Sequence, residues 1–157
     1  MKSIYFDNNA TTPIAPEVFE EMIPYLRELY GNPSSMHTFG GQLHRRIEEA
    51  RAKVASLVNA EPGEIIFTGC GTESDNTAIM SAVESYPQKR HVITTRVEHP
   101  AVLNFCKHLA RKGYRVTFLP VDYLGRLDMD ALYKALDDDT VVVSIMYANN
   151  ETGVIFQ

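Results

Sequence analysis

The stretch "HVITTRVEHPAVLNFCKHLARKGYRVTFLPV", His91 to Val121, decides how this chain is read. It opens on "HVITT" (91–95) and closes on "RVTFLPV" (115–121), two short runs rich in β-branched residues that each predict a strand. Between them Pro100 stands where a proline best opens a helix, because the first turn leaves its N–H positions unpaired in any case. The helix is predicted to run to about Lys112. Strand, helix, strand at this spacing argues for parallel neighbours joined by right-handed crossovers.

The pattern continues on both sides. Upstream, "EIIFT" (64–68) predicts a strand and residues 72–85 a helix; downstream, a helix over about 128–137 leads to "TVVVSIMY" (140–147). That last run is apolar at nearly every position, which predicts a strand covered on both faces. Nearer the start, Leu43, Ile47, Ala50, Val54 and Leu57 recur at the spacing of an amphipathic helix from Gly41 to about Asn59. Another helix is expected from Pro16 to about Tyr30, kinked at Pro24, and "GNPSSMH" (31–37) is a loop. Residues 1–15 read as an N-terminal arm, and 16–157 as part of one large α/β domain with a mainly parallel sheet.

Composition narrows the function. The chain has 157 residues, 45% hydrophobic and 22% charged, with a net charge of −5. No Lys/Arg-rich run provides a footprint for nucleic acid or an anionic membrane. No segment approaches the ~20 apolar residues of a membrane span, and no secretory leader is visible, so a cytoplasmic protein is expected. Cys70 and Cys106 lack metal-site spacing, and no metal site is expected. The chain stops just after its strongest strand signal, and is expected to be the amino-terminal part of a longer protein.

In open parallel sheets, ligands bind outside the carboxyl ends of the strands. Three loops qualify and are expected to converge. In "FTGCGTESDN" (67–76), Gly69 and Gly71 allow close backbone approach, and the amides of 71–73 with the Thr72 hydroxyl can ring an anion at a helix N-terminus. The spacing matches neither a Walker loop nor the dinucleotide fingerprint. Glu73 and Asp75 suit one compact phosphate better than a polyphosphate. The alternative is a plain strand-to-helix turn with Thr72 as cap. His99, held extended by the following proline, can stack on a planar ligand or move a proton, or else simply cap its helix. Asn150 can donate to a ligand oxygen, or belong to a turn before Gly153. His37 is a reserve candidate; His44, His91 and His108 read as helix-face or strand-edge residues. Cys106 reads as packed and Cys70 as a small loop residue.

At these residues the chain strongly resembles the cysteine desulfurases, class V aminotransferase-type enzymes dependent on pyridoxal 5′-phosphate, and most of all those of the nitrogen-fixation type. The motifs are "YFDNNATTP", "GNPSSMH", "GCGTESDN", "VEHPAV", "GRLD" and "ANNETG". The resemblance implies a fold-type-I architecture, a homodimer, L-cysteine as substrate, and an iron–sulfur scaffold or other sulfur acceptor as partner. It implies that Gly71 and Thr72 hold the cofactor phosphate. It further implies that His99 stacks on the pyridine ring and takes part in proton transfer, and that Asn150 lies near the cofactor and substrate. It places "GNPSSMH" near the dimer interface. No lysine here has the family's Ser-x-His-Lys setting, and the persulfide-forming cysteine is likewise expected beyond Gln157. A selenocysteine lyase, another class V aminotransferase, or a fragment without turnover are the alternatives. The gene is expected to continue past Gln157 through Asp-x-Ala-Gln, Ser-x-His-Lys and a loop cysteine. Reading the codons that follow checks this, and a stop codon directly after Gln157 would overturn the enzymatic reading of this product.

Overall fold

The computed structural model describes residues 4–156. They fall into two compact units, one ending at Phe67 and one beginning at Thr68.

The first unit is helical. Helix α1 (Pro16–Arg27) starts on a proline, carries Glu17 in its first turn and Arg27 in its last, and so matches its macrodipole at both ends. Pro24 lies inside α1. Most of its apolar residues, Val18, Met22 and Leu26 among them, are exposed, and Ile23 is half-buried. Helix α2 (Thr38–Leu57) is capped by His37, whose Nδ1 accepts from the Gly40 amide at 3.2 Å. Gly40 is buried against the "GNPSSMH" loop, and a Cβ there would collide with the Asn32 carbonyl. At the far end, Arg51 donates to the Ile65 carbonyl and lies 4.9 Å from the centre of the Phe67 ring.

The predicted strand over 64–68 does not form. Glu61 and Glu64 close a 3-10 turn over Pro62–Glu64 through a capping box, and no ladder pairs the residues that follow. Ile66 and Phe67 are exposed. β-propensity is present in this segment, but a strand exists only where a neighbour accepts its backbone bonds, and none does so among the described residues.

The second unit is built on a parallel sheet. Helix α3 (Gly71–Ser85) precedes β1 (His91–Thr95); α4 (Pro100–Arg111), β2 (Arg115–Leu119), α5 (Met129–Ala135) and β3 (Thr140–Ser144) follow. The strand order is β2-β1-β3, with both pairs parallel. Val92 faces a cluster with Ile79, Val83, Val102, Cys106 and Leu109 from α3 and α4. Its neighbour Ile93 faces the opposite side, with Leu119 and with Leu132 of α5. Each such side chain contributes roughly 1.5–3 kcal/mol on burial.

The strand buried throughout is therefore β1, all five residues of which are inaccessible, and not the more apolar β3. β3 is an edge strand in this unit, and Val143 on it remains exposed. Position in the sheet, rather than hydrophobicity, decides burial here. His91 is accordingly no strand-edge residue. Its ring is fully buried and bridges both neighbouring strands, with Nε2 2.8 Å from the Thr117 hydroxyl and Nδ1 2.9 Å from that of Thr140. Asp137 Oδ1 lies 3.4 Å from Nδ1.

Replacing His91 by Ala removes a buried ring and takes away the Thr117 hydroxyl's partner, while Thr140 keeps its bonds to Asp137, so an expected loss of about 3 kcal/mol should appear in urea unfolding. Thr117→Val, which orphans one ring nitrogen, is expected to cost about 1–2 kcal/mol.

Candidate functional site

After β1 the chain runs through α4 to β2 on one side, then crosses by α5 to β3 on the other. That change of direction opens a crevice at the carboxyl end of β1, the place where such sheets bind ligands.

Helix α3 starts at Gly71 from an extended Cys70, and no side chain caps it. Its first intrahelical donor is the Ser74 amide, which bonds the Cys70 carbonyl at 3.1 Å. The amides of Gly71, Thr72 and Glu73 thus precede the ladder and are the donors a helix N-terminus offers to an anion. A Cβ built on Gly71 would touch nothing within 4 Å, so the backbone there is open to close approach. The carboxylate that should repel an anion is engaged elsewhere: Glu73 Oε2 accepts from the Gly69 amide at 2.6 Å. A 2.6 Å bond between the hydroxyls of Thr68 and Ser74 ties the turn together.

His99 is the N-cap of α4, its Nδ1 accepting from the Ala101 amide at 3.1 Å. An acceptor at Nδ1 requires the neutral ring to carry its proton on Nε2. The cap therefore fixes both the direction of the ring and its tautomer, and leaves Nε2–H for other work. The capping role and the ligand-facing role, alternatives in the sequence, use different ring atoms and are compatible. His99 is exposed, and with Thr72, Asn76, Asn104 and His108 it lines a cleft of about 440 Å³.

The structure thus brings Thr72 and His99 to one cleft, with Gly71 beside Thr72. Asn150 is not among the residues lining that cleft. It stands exposed on a hairpin after β3, closed by the Asn149 amide on the Val154 carbonyl and the Gly153 amide on the Asn149 carbonyl, and its Nδ2 donates to Glu151 Oε1 at 3.3 Å. His37 is committed to capping α2 in the other unit.

Three further residues belong to this region and were not singled out from the sequence. Asn76, one turn beyond Thr72, has a buried Oδ1 with no hydrogen-bond partner and lines the same cleft. Its i, i+4 spacing from Thr72 was the available signal. Glu98 is 7% exposed; its Oε1 accepts from the Met146 amide at 2.7 Å and from the Thr95 hydroxyl at 3.3 Å. Burial pushes this carboxyl above its ordinary range, helped by Asp75, against the opposing pull of the Met146 amide, Thr95 and His99. Asn149 is equally buried: Nδ2 donates to the Val97 carbonyl at 3.1 Å, while Oδ1 accepts from the amides of Glu151 and Thr152. No pattern in the sequence marks either as buried.

Neither cysteine is placed as a reactive thiol by its setting. Cys106 is fully buried in the α4 core, and burial pushes its thiol up to about 11. Cys70 is exposed in the loop. Three open amides, a hydroxyl and the Nε2–H of an aimed imidazole make a donor set suited to a small phosphorylated, planar ligand, with the unpartnered Asn76 Oδ1 as an acceptor beside them.

Comparison with known proteins gives the family. Residues 4–157 match the family described as aminotransferase class-V. A cysteine desulfurase of Trichormus azollae is 58% identical over 156 residues, which are 99% of this chain and 39% of that protein. Among solved structures, a NifS-like protein superposes with a TM-score of 0.91 at 47% identity, covering 98% of this chain and 42% of that one. The structure titled SspA in complex with cysteine superposes at 0.89 with 35% identity, covering 98% and 45%. The chain spans about two fifths of the length of the curated relatives it matches.

The dual use of His99 separates by substitution. His99→Ala should lose about 1 kcal/mol of stability with the α4 cap, whereas His99→Asn, itself a good N-cap, should stay within a few tenths of the parent in chemical unfolding.

Proposed function

The chain belongs to the aminotransferase class-V family, and from that premise we propose that it is the amino-terminal portion of a pyridoxal-phosphate-dependent cysteine desulfurase. Such an enzyme takes sulfur from L-cysteine, leaving L-alanine and an enzyme persulfide. The observation that carries the reading is the shared cleft of Thr72 and His99 at the open N-terminus of α3. The fold is that of pyridoxal-phosphate enzymes of fold type I, and the donor set fits the cofactor. The amides of Gly71 and Thr72 with the Thr72 hydroxyl would hold its phosphate without any lysine or arginine, and His99 would lie against its ring.

Bound there, the cofactor supplies an electron sink for the carbon bearing the amino group. The chain's own part is narrower. The helix N-terminus anchors the phosphate and so fixes the cofactor's position. The cap on Nδ1 makes His99 Nε2 an N–H, so it would meet the ligand as a hydrogen-bond donor; to take up a proton there, the ring would have to carry its own proton on Nδ1 and release the cap. Asn150, on the hairpin after β3, would donate to a ligand oxygen from the other side of the crevice.

The desulfurases named among the relatives, and the SspA structure that contains cysteine, support cysteine as substrate. Cys106 is buried with its thiol pushed upward and no lysine here has the Ser-x-His-Lys setting, so the persulfide-forming cysteine and the Schiff-base lysine would lie in the three fifths of the relatives' length that this chain does not span. The resemblance of "GNPSSMH" to the family's interface segment supports a homodimer. The nitrogen-fixation type of the match supports delivery of sulfur to an iron–sulfur scaffold, in the cytoplasm.

Full-length protein loaded with pyridoxal phosphate should release alanine from L-cysteine. His99→Asn, which keeps the cap, should retain the cofactor yet turn over about 10²–10⁴-fold more slowly, the scale of losing a positioned acid–base group. Thr72→Ala should do the reverse, weakening cofactor retention by about 2 kcal/mol with less effect at saturation. Parent-like turnover by His99→Asn would return His99 to a capping role alone, and absence of alanine from the parent would overturn the activity.

A further inference from the structure

Two loops carry the site residues of the crevice: 96–99, leaving β1 and ending in His99, and 145–150, leaving β3 and ending in Asn150. Loops at sheet ends ordinarily owe their positions to the strands beneath them. These two are joined directly by two hydrogen bonds, both donated by the second loop, one to a side chain and one to the backbone of the first. Glu98 of the first loop accepts from the backbone amide of Met146 in the second, at 2.7 Å. Asn149 of the second donates from Nδ2 to the backbone carbonyl of Val97 in the first, at 3.1 Å. Each of the two side chains belongs to the residue just before its own loop's site residue, Glu98 before His99 and Asn149 before Asn150, and reaches across to the other loop's backbone.

We propose that Glu98 and Asn149 form a crossed clamp that sets the separation of His99 and Asn150, and that both are positioning residues for the reaction. The inference rests on the function proposed above.

Both side chains are buried, at 7% and 8% exposure, so water does not compete for either bond. The bonded oxygen of Glu98 and the Oδ1 of Asn149 carry further partners within the clamp. The Thr95 hydroxyl, at the end of β1, donates to the same Glu98 oxygen, which ties the clamp to the central strand. The Asn149 Oδ1 accepts from the Glu151 and Thr152 amides and from the Thr152 hydroxyl, which shapes the hairpin that presents Asn150. One residue thus aligns the loop before His99 while the other holds the turn around Asn150. A carboxylate serves at position 98 because the Met146 amide and the Thr95 hydroxyl are both donors and need a single acceptor oxygen. An amide serves at 149 because that side chain must donate from one end and accept at the other.

The test uses full-length protein saturated with pyridoxal phosphate and the variants Glu98→Ala, Glu98→Gln and Asn149→Asp. Glutamine keeps an acceptor oxygen for Met146 and Thr95; aspartate keeps the hairpin acceptor and replaces the donor to the Val97 carbonyl and the Met146 sulfur by an oxygen that can only accept. Misplacing a reacting group by about 1 Å costs up to about 10²-fold. Glu98→Ala and Asn149→Asp are therefore expected to lower kcat about 10–100-fold at unchanged cofactor occupancy, with KM for cysteine changing far less. Glu98→Gln should remain within about threefold of the parent. The readout independent of activity is hydrogen exchange at the Met146 amide, expected to accelerate at least tenfold in Glu98→Ala and to stay protected in Glu98→Gln. Unchanged Met146 exchange in Glu98→Ala would overturn the clamp whether or not the protein turns over cysteine. Parent-like kcat in Asn149→Asp would overturn its positioning role, and so would a Glu98→Gln enzyme as slow as Glu98→Ala, since charge rather than position would then be at work. Should Glu98→Ala fail to fold, Glu98→Gln and Asn149→Asp still decide. A parent without desulfurase activity, by contrast, refutes the proposed function and leaves the exchange result standing.

Discussion

A strand that is hydrogen-bonded on both edges and covered on both faces has no water for its polar side chains, and β1 is such a strand. Every polar group it carries that finds a partner must find it inside the protein, at a cost of about 1–3 kcal/mol where it does not. Those partners organise the sheet. At the start of β1, His91 satisfies both ring nitrogens by bonding Thr117 on β2 and Thr140 on β3. At the end, Thr95 bonds the buried Glu98, whose carboxylate in turn holds the backbone just past β3. The same five residues thus fix the sheet at one end and the crevice at the other.

From that crevice the chemistry follows with little added. The topology sends consecutive connections to opposite sides of β1, so the loops after β1 and β3 face each other. Helix α3 contributes an N-terminus that no side chain closes, and Glu73 is drawn back onto Gly69 instead of facing the open amides. A site built this way holds an anion by neutral dipoles, which favours a single phosphate over a chain of them. It also leaves the neighbouring imidazole free of a competing fixed cation.

His99 shows how one residue can cap a helix with one ring nitrogen and face a ligand with the other. Its Nδ1 completes the N-terminus of α4, where Pro100 has already removed one donor, and this bond holds the ring in place. Freedom lost at Nδ1 becomes definition at Nε2. A residue free to rotate would have to be ordered at the moment of reaction, whereas this one is ordered by the fold. The cap and the site are therefore a single device, and substitution by asparagine is what tells its two functions apart.

Much of this was legible in the amino-acid order. Pro100 marked the start of α4, the apolar spacing marked α2, and the alternation of strands and helices marked a parallel sheet, because these signals act between residues close in the chain. The Gly71–Thr72 turn and His99 were legible for the same reason, each sitting at a helix start. What the sequence could not carry is which strand lies in the middle. "TVVVSIMY" is the more apolar run, yet "HVITT" is the buried one, since burial follows from having neighbours on both edges and both faces. Nor could it show that "EIIFT" finds no strand to pair with among the described residues, or that His91, read as an edge residue, bridges three strands. Glu98 and Asn149 escaped notice on the same ground. Local propensity wrote the elements and their starts; long-range pairing, which no window of sequence contains, decided which polar groups were taken out of water and therefore which ones hold the site.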